Sequence, residues 1–459
     1  MLTHDTCDNL RRAMYIGMAV GADKREVIEL KGMVVELRQR AASEAVPMAF
    51  LWLSEIDLQF SVTPDKANLG EVAELVAASL PAEQDDHFTV SLWQFSSRAY
   101  FRANRLDDAQ RCRAKAAESL VRQAEMAFGT SALTASTLLS SAIAQLGGSP
   151  TQKVRRSELR HRLVDLQAHV TDQMSSFSHP MDLRELAEAV ERSFQPASLL
   201  EKLFRFAALI NSPEPEKLRA DAETTIRAHP LSSLFGASHL DREGKVIHRT
   251  PSSALGEADP GAVDAQIAQA EALRRHVVVV GHIEVGRQLI ASQHHVHADG
   301  ILCLIGQSPA VPPELTSTFA SGFTRLFQGD YTGATYTLVP NLEAMLRHVL
   351  KSTGHDVTIF DDATQTQQDR TISSLFEQMR SELDGVFGPA LTTDMENVFL
   401  RKPGPHLRHA LAHGLLADGS PYGSAAVYGC WLIFRLALLP LFPHRNELVV
   451  PVGWREPPG

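Results

Sequence analysis

"SAAVYGCWLIFRLALLPLF", residues 424–442, can be read in two ways, and the choice sets the fold. A run this apolar is about the roughly 17–20 residues that a short membrane span needs. Arg435 stands in its middle, however, Gly429 and Pro440 interrupt it, and the chain has no second run like it. A guanidinium in hydrocarbon is expensive. The stretch therefore reads as a helix buried on most sides at the centre of an all-α domain.

Upstream of it, apolar residues recur at helical spacing. Leu391, Met395 and Val398 form one stripe, and Leu338, Leu342, Met345 and Val349 another. Leu315, Phe319, Phe323 and Leu326 form a third that ends at Gly329. "FDDATQTQQDRT" (360–371) is polar enough to be an exposed loop. These features define a helical bundle over 311–445, followed by a Pro-rich tail, 446–459.

Before the bundle, residues 260–300 resume a helical pattern, with Val263, Ile267 and Ala270 on one face and Asp299–Gly300 as the stop. Around Asp241–Gly244, residues 232–253 alternate weakly and read as a β-hairpin or extended loop. Together these make a region of hairpin and long connecting helix, 231–310. Residues 1–230 read as helices, including a pair joined around Asn104–Asp108 and a pair broken near Pro196. No segment repeats at a fixed period. The fold class is mainly α: a multi-helical N-terminal region, a small β-hairpin and a C-terminal helical bundle.

The 459 residues are 44% hydrophobic and 21% charged, ordinary for a globular chain that is long enough for more than one domain. A net charge of −10 argues against broad binding to duplex DNA, which needs a surface dense in Lys and Arg. Basic clusters are local: Lys153, Arg155, Arg156, Arg160 and Arg162 along one helix, and Arg401, Lys402 and Arg408. Cys7, Cys112, Cys303 and Cys430 show no paired spacing, which suits a reducing compartment. The N-terminus lacks the pattern of a signal peptide. A cytoplasmic protein with no membrane partner is expected.

Neither a phosphate-binding Gly-rich loop nor a G-x-S-x-G nucleophile turn occurs. His294, His295 and His297 cluster at an expected helix end, where the helix dipole favours imidazoles. Glu343 and Arg347, four residues apart, read as an ion pair.

The remaining chemical offer is "PGPHLRHALAHGLLADG", residues 403–419. Pro405 suits the first turn of a helix and Gly414 its end. Leu407, Leu411, Leu415 and Leu416 supply a packing face, leaving His406, His409 and His413 on the other side. His409 and His413 have the spacing of two zinc ligands, but Ala410 stands where a zinc hydrolase of the H-E-x-x-H kind places its Glu, and His406 lies roughly 10 Å from His413 at about 1.5 Å per residue. No metal or other cofactor is expected. Arg408 and His413 offer different chemistry. They stand near 140° apart on an ideal helix at about 100° per residue, and the long Arg side chain can curl toward the His, or the two can meet across a dimer axis. A neutral imidazole can take the 2′-hydroxyl proton of RNA while a guanidinium stabilises the pentacovalent phosphate.

On these residues, "LRHALAHG" resembles the Arg-x(4–6)-His signature of the HEPN superfamily. It is similar in particular to a bacterial group of unknown function carrying Arg-Asn-x-x-x-His-Gly, matched by Arg408, His413 and Gly414, with His409 in place of Asn. Residues 327–350 and 237–251 also resemble that group, so the likeness spans roughly 190–442. The resemblance implies a bundle of four or five helices, usually a homodimer with two motifs at a shared cleft. It also implies metal-independent RNA cleavage leaving a 2′,3′-cyclic phosphate, in proteins that act as toxins or in abortive, anti-phage defence. Arg408 is then the phosphate binder, His413 the general base or acid, and His409 the orienting residue. Glu343 holds Arg408, and His406 and Gly414 support the motif. An activating or inhibiting partner and a sensing role for residues 1–230 belong to the same expectation. Two other readings stand beside it: a noncatalytic nucleotide- or protein-binding module, and a His-based metal hydrolase.

Overall fold

Helical spacing of apolar residues is realised throughout the computed structural model, which describes residues 4–21, 24–80, 87–174, 180–229, 236–241, 243–250 and 258–456. The chain is mainly α, with two small antiparallel hairpins. It divides into two compact units, one of Met1–Phe177 with Leu240–Val246, the other of Ser178–His239 with Ile247–Gly459.

The first unit contains α1 (His4–Val20), α2 (Arg25–Ser43), α3 (Pro47–Phe60), α4 (Lys66–Ser79), α5 (His87–Arg102), α6 (Leu106–Phe128), α7 (Ala132–Gln145) and α8 (Lys153–Ala168). Phe50, Leu53, Phe95 and Leu139 are among the side chains fully removed from solvent in its core. Asp57 is buried there too, with Arg38 Nε 3.2 Å away and the Thr63 amide donating to it at 2.7 Å. A buried charge is tolerated because it is paired and hydrogen-bonded. In the basic cluster of α8, Arg155 pairs with Glu118 and Glu158, and Arg162 with Glu125, so these charges serve the unit's own helices.

The second unit begins with α9 (Arg184–Phe194), α10 (Leu199–Ala207) and α11 (Pro215–Ala228); the hairpin of β1 (Ala237–Leu240) and β2 (Val246–Thr250) follows in the chain, its tip Leu240–Val246 counted with the first unit. The expected hairpin around Asp241–Gly244 is present; its flanks at 232–235 and 251–253 lie outside the described residues. Next come α12 (Pro260–Val278), α13 (Glu284–Gln293) and α14 (Ala298–Ile305), then α15 (Thr316–Gln328) and α16 (Tyr331–Ser352). The hairpin of β3 (Thr358–Asp361) and β4 (Thr366–Asp369) follows. The unit closes with α17 (Ile372–Gln378), α18 (Arg380–Phe387), α19 (Pro389–Phe399), α20 (Leu407–Ala412) and α21 (Ser424–Leu438).

Helix α21 is the buried centre of this unit. Trp431, Leu432, Ile433 and Phe434 are almost fully removed from solvent. By length and composition Ser424–Leu441 could cross a membrane, yet 72% of that window is buried inside the protein. Its Arg435 donates to the Ile210 carbonyl and to the Asn211 side-chain oxygen, while its Nε is buried without a hydrogen-bond partner.

Three expectations need correction. The helix over 260–300 does not stop at Asp299–Gly300. A π-helical turn, Val279–Ile283, joins α12 to α13, which ends at Gln293, and Asp299 and Gly300 form the first turn of α14. His297 caps that turn, its Nδ1 accepting from the Gly300 amide at 2.9 Å, a local bond that outcompetes the stop signal of Asp-Gly. Residues 360–371 are not a loop: Phe360 pairs with Gln367 and Asp361 with Thr366 in the β3/β4 ladder. The ladder is almost wholly exposed, which is why its composition reads as loop. Finally, the boundaries expected at 230 and 311 do not coincide with the division of the chain into its two units. Phe206 of α10 packs at 5.2 Å from Phe327 and 5.8 Å from Phe434, and the Trp431 indole donates to its carbonyl at 2.8 Å. Helices α9 and α10 and residues 278–305 therefore share one core with the bundle.

Candidate functional site

The motif segment folds as a much shorter helix than its sequence suggests. Pro405 lies outside it, and His406 adopts a left-handed backbone at φ 47°, a conformation rare for residues with a Cβ. Helix α20 runs only from Leu407 to Ala412. Its end is set by Gly414 at φ 64°: the Leu415 amide donates to the Ala410 carbonyl at 2.8 Å and the Gly414 amide to the Leu411 carbonyl at 3.2 Å, the paired bonds of a Schellman ending. His413 is thus the C-terminal cap. Its backbone is fixed while its side chain faces solvent.

Leu407 anchors the helix. It is 3% exposed, and a Cβ at Gly429 of α21 would lie 3.1 Å from its Cδ2. Leu411 and Leu416 pack half-buried on the same core, whereas Leu415 is exposed. On the other side the three imidazoles form a ladder. The His406 and His409 rings stack at 4.5 Å and 14°, and the His409 and His413 rings lie 4.3 Å apart. Burial pushes His406 down to about 4, helped by His409, Lys402 and His413. His409 is lowered in the same direction by desolvation, His413 and Lys402. Both imidazoles are therefore held in the neutral form at neutral pH.

Arg408 points to α16, its Nη2 3.7 Å from a Glu343 oxygen. Arg347 Nη1 donates to the other Glu343 oxygen at 2.5 Å and to the Arg370 carbonyl at 3.0 Å. Arg408 Nε is buried without a hydrogen-bond partner, while the side chain keeps 27% exposure. Counting Lys351 and Asp369, which join the same network, three cations face two carboxylates, and the corner carries one excess positive charge. All the residues expected from the sequence, Arg408, His409, His413, His406, Gly414 and Glu343, thus lie on or beside α20. No hydrogen bond or ion pair joins Arg408 to His413 among the described residues; the Arg side chain is directed to Glu343 and does not curl toward the His. Nor is any group of three or more His, Cys, Asp or Glu side chains among the described residues arranged to hold a metal ion.

In the other histidine cluster His294 Nε2 meets the buried Lys202 ammonium at 2.9 Å, His297 caps α14, and the His295 and His297 rings lie 6.1 Å apart.

A second constellation escaped the sequence reading. Asp394 of α19 is fully buried. Its carboxylate accepts from the Tyr428 hydroxyl at 2.7 Å, from the Ser212 hydroxyl at 2.8 Å and from Arg274 at 3.3 Å. Arg274 also makes two 2.8 Å bonds to Glu271 and lies 5.1 Å from the Tyr428 ring centre. Desolvation raises the Asp394 pKa against the pull of Arg274 and Tyr428. This network ties α12, α19 and α21 together beneath the segment that leads to α20. A signal existed: Asp394 falls on the Leu391–Met395–Val398 stripe, and Glu271 continues the spacing of Val263 and Ile267.

No family model, curated protein or solved structure matches the chain.

Proposed function

We propose that the protein is a metal-independent endoribonuclease of HEPN type, acting in the cytoplasm as a toxin or anti-phage effector. The observation that carries this reading is the motif corner itself. An exposed imidazole is fixed at a helix cap, a partly buried guanidinium of the same helix lies beside a carboxylate of α16, and the corner has net positive charge.

In the reaction, His413 takes the proton of the 2′-hydroxyl and that oxygen attacks the adjacent phosphorus. The bond to the 5′-oxygen breaks, the leaving oxygen takes up a proton, and a 2′,3′-cyclic phosphate remains. Arg408 offers paired N–H donors and charge to the phosphoryl oxygens as negative charge builds. His409, held neutral beside His413, orients the ring or the substrate. Because Arg408 and His413 diverge on one α20, a homodimer that brings one protomer's His413 toward its partner's Arg408 would complete the pair.

The test is cleavage of end-labelled RNA by the purified protein in excess EDTA, beside His413→Ala. Cleavage in wild type and none in the variant, with folding and oligomeric state unchanged, is the expected result. EDTA-sensitive cleavage would replace this reading with a metal hydrolase. Cleavage by neither protein, with a dimer that depends on Arg408 and His413, would favour a binding module.

A further inference from the structure

The C-terminal tail folds back onto the second unit instead of trailing from it. Trp454 is buried, and its ring approaches Gly300 so closely that a Cβ there would lie 2.2 Å away. The Trp454 carbonyl accepts from the Leu200 amide at 2.9 Å. Val449 is clasped by the Gln307 side chain, amide to Oε1 at 2.9 Å and Nε2 to carbonyl at 2.7 Å. The tail is thereby fastened to α10 and α14, and it brings Arg445 and Arg455 to the face of α10 that carries Arg205.

These three guanidiniums line one groove of about 450 Å³, within the range of about 300–1,000 Å³ typical of small-molecule sites. Phe204 and Phe442, 4.9 Å apart and edge to face, supply its apolar wall. Among the described residues Glu201 is the sole carboxylate lining the groove, and it is paired with Arg205. Arg455 donates to the carbonyls of Arg445, Asn446 and Leu448 at 3.4, 3.2 and 2.7 Å, which fixes the guanidinium without neutralising it. The Arg445 guanidinium has no hydrogen-bond or ion-pair partner among the described residues. The lining therefore carries two excess positive charges beside aromatic rings. Phe442 lies beyond the C-terminal end of α21, thirteen residues past Gly429, where Leu407 packs. At about 1.5 Å per residue that is roughly 20 Å from the motif.

We infer that this groove is a second binding site, for a small organic dianion in which a phosphate monoester is carried on a planar apolar group. A phosphate monoester bears about 1.5–2 negative charges at neutral pH, matching the excess, and guanidiniums bind phosphate oxygens in bidentate fashion. The aromatic wall gives the planar part its burial. Inorganic phosphate would use only the guanidiniums, a neutral nucleoside only the wall.

Calorimetric titration of the full chain with adenosine 5′-monophosphate tests this, with adenosine, inorganic phosphate and phthalate as comparison probes. Saturable one-to-one binding of the monophosphate is expected, at least tenfold tighter than each of the others. Arg445→Glu, a side chain that holds nothing in the fold, is expected to weaken it at least tenfold with the circular dichroism and melting temperature unchanged. Arg408→Ala is expected to leave it intact. No saturable binding by the wild type at millimolar concentration would overturn the inference, as would undiminished binding in Arg445→Glu or loss in Arg408→Ala. Phosphate binding as tightly as the monophosphate would refute the apolar half, and phthalate doing so would refute the phosphate.

Discussion

Arg408 Nη2 lies 3.7 Å from the Glu343 carboxylate, whose other oxygen is taken by Arg347 at 2.5 Å. Glu343 therefore orients one guanidinium while a second prevents it from fully neutralising the first. Glu343→Gln keeps the volume but removes the charge that draws Arg408 toward α16. If the protein cleaves RNA as proposed, cleavage is expected to fall about tenfold, near 1.4 kcal/mol of transition-state stabilisation, mainly in kcat. Arg408→Ala is expected to lose about 100-fold or more, as for removal of a donor to a developing oxyanion. Kinetics of both variants check this, and equal losses would show that Glu343 does more than position.

The histidine ladder makes stability depend on pH. Folded His406 takes up a proton only near pH 4, whereas an unfolded His does so near 6.5. Between those values the unfolded chain binds more protons, so the stability held above pH 6.5 is lost as pH falls toward 4. His409 shifts in the same direction, and Lys402 and His413 deepen the effect. Melting temperatures measured from pH 7.5 to 4.5 are expected to fall, and less steeply in His406→Gln. An identical slope in the variant would place the acid sensitivity elsewhere.

Asp394→Ala would leave the partly exposed Arg274 and the buried Arg275 to share Glu271 alone and would strand the Tyr428 and Ser212 hydroxyls. Breaking a buried charge network from one side costs about 3–5 kcal/mol, and denaturant unfolding of the second unit is the measurement. Tyr428→Phe removes one hydroxyl bonded to both Asp394 and Arg274, for which about 1–3 kcal/mol is expected. A change below 1 kcal/mol in Asp394→Ala would mean that water replaces the lost partner.

Stripes such as Phe319–Phe323–Leu326 and Leu391–Met395–Val398 were legible in the sequence because burial repeats with the helical period. So was the cluster around Arg408, because α20 and the facing turn of α16 bring together residues whose types already suggested the chemistry. The length of α20 was not legible. His406 takes a left-handed backbone just before Leu407 seats against α21, a conformation that no local propensity encodes. Asp394, Glu271 and Arg274 were missed because polar residues on an apolar stripe are discounted by a pattern that counts only hydrophobic positions. Their partners lie up to 182 residues away in the chain. The β3/β4 hairpin was missed because an exposed ladder has no buried face to impose alternation.

That seating of Leu407 can be tested directly. A Cβ at Gly429 would sit 3.1 Å from Leu407 Cδ2 and 3.2 Å from Phe399 Cε1, so Gly429→Ala requires α20 or α19 to give by a few tenths of an ångström. Alanine gains about 0.8–1 kcal/mol of helix propensity over glycine, which offsets the crowding. The expected outcome is a stability change within about 1 kcal/mol of wild type together with cleavage reduced about tenfold, because small misplacements of reacting groups weigh heavily on rate. Denaturant melts and RNA cleavage on the same preparation separate the two effects. Unchanged cleavage would show that the motif tolerates the shift, and that Leu407 stabilises the fold without setting the position of Arg408.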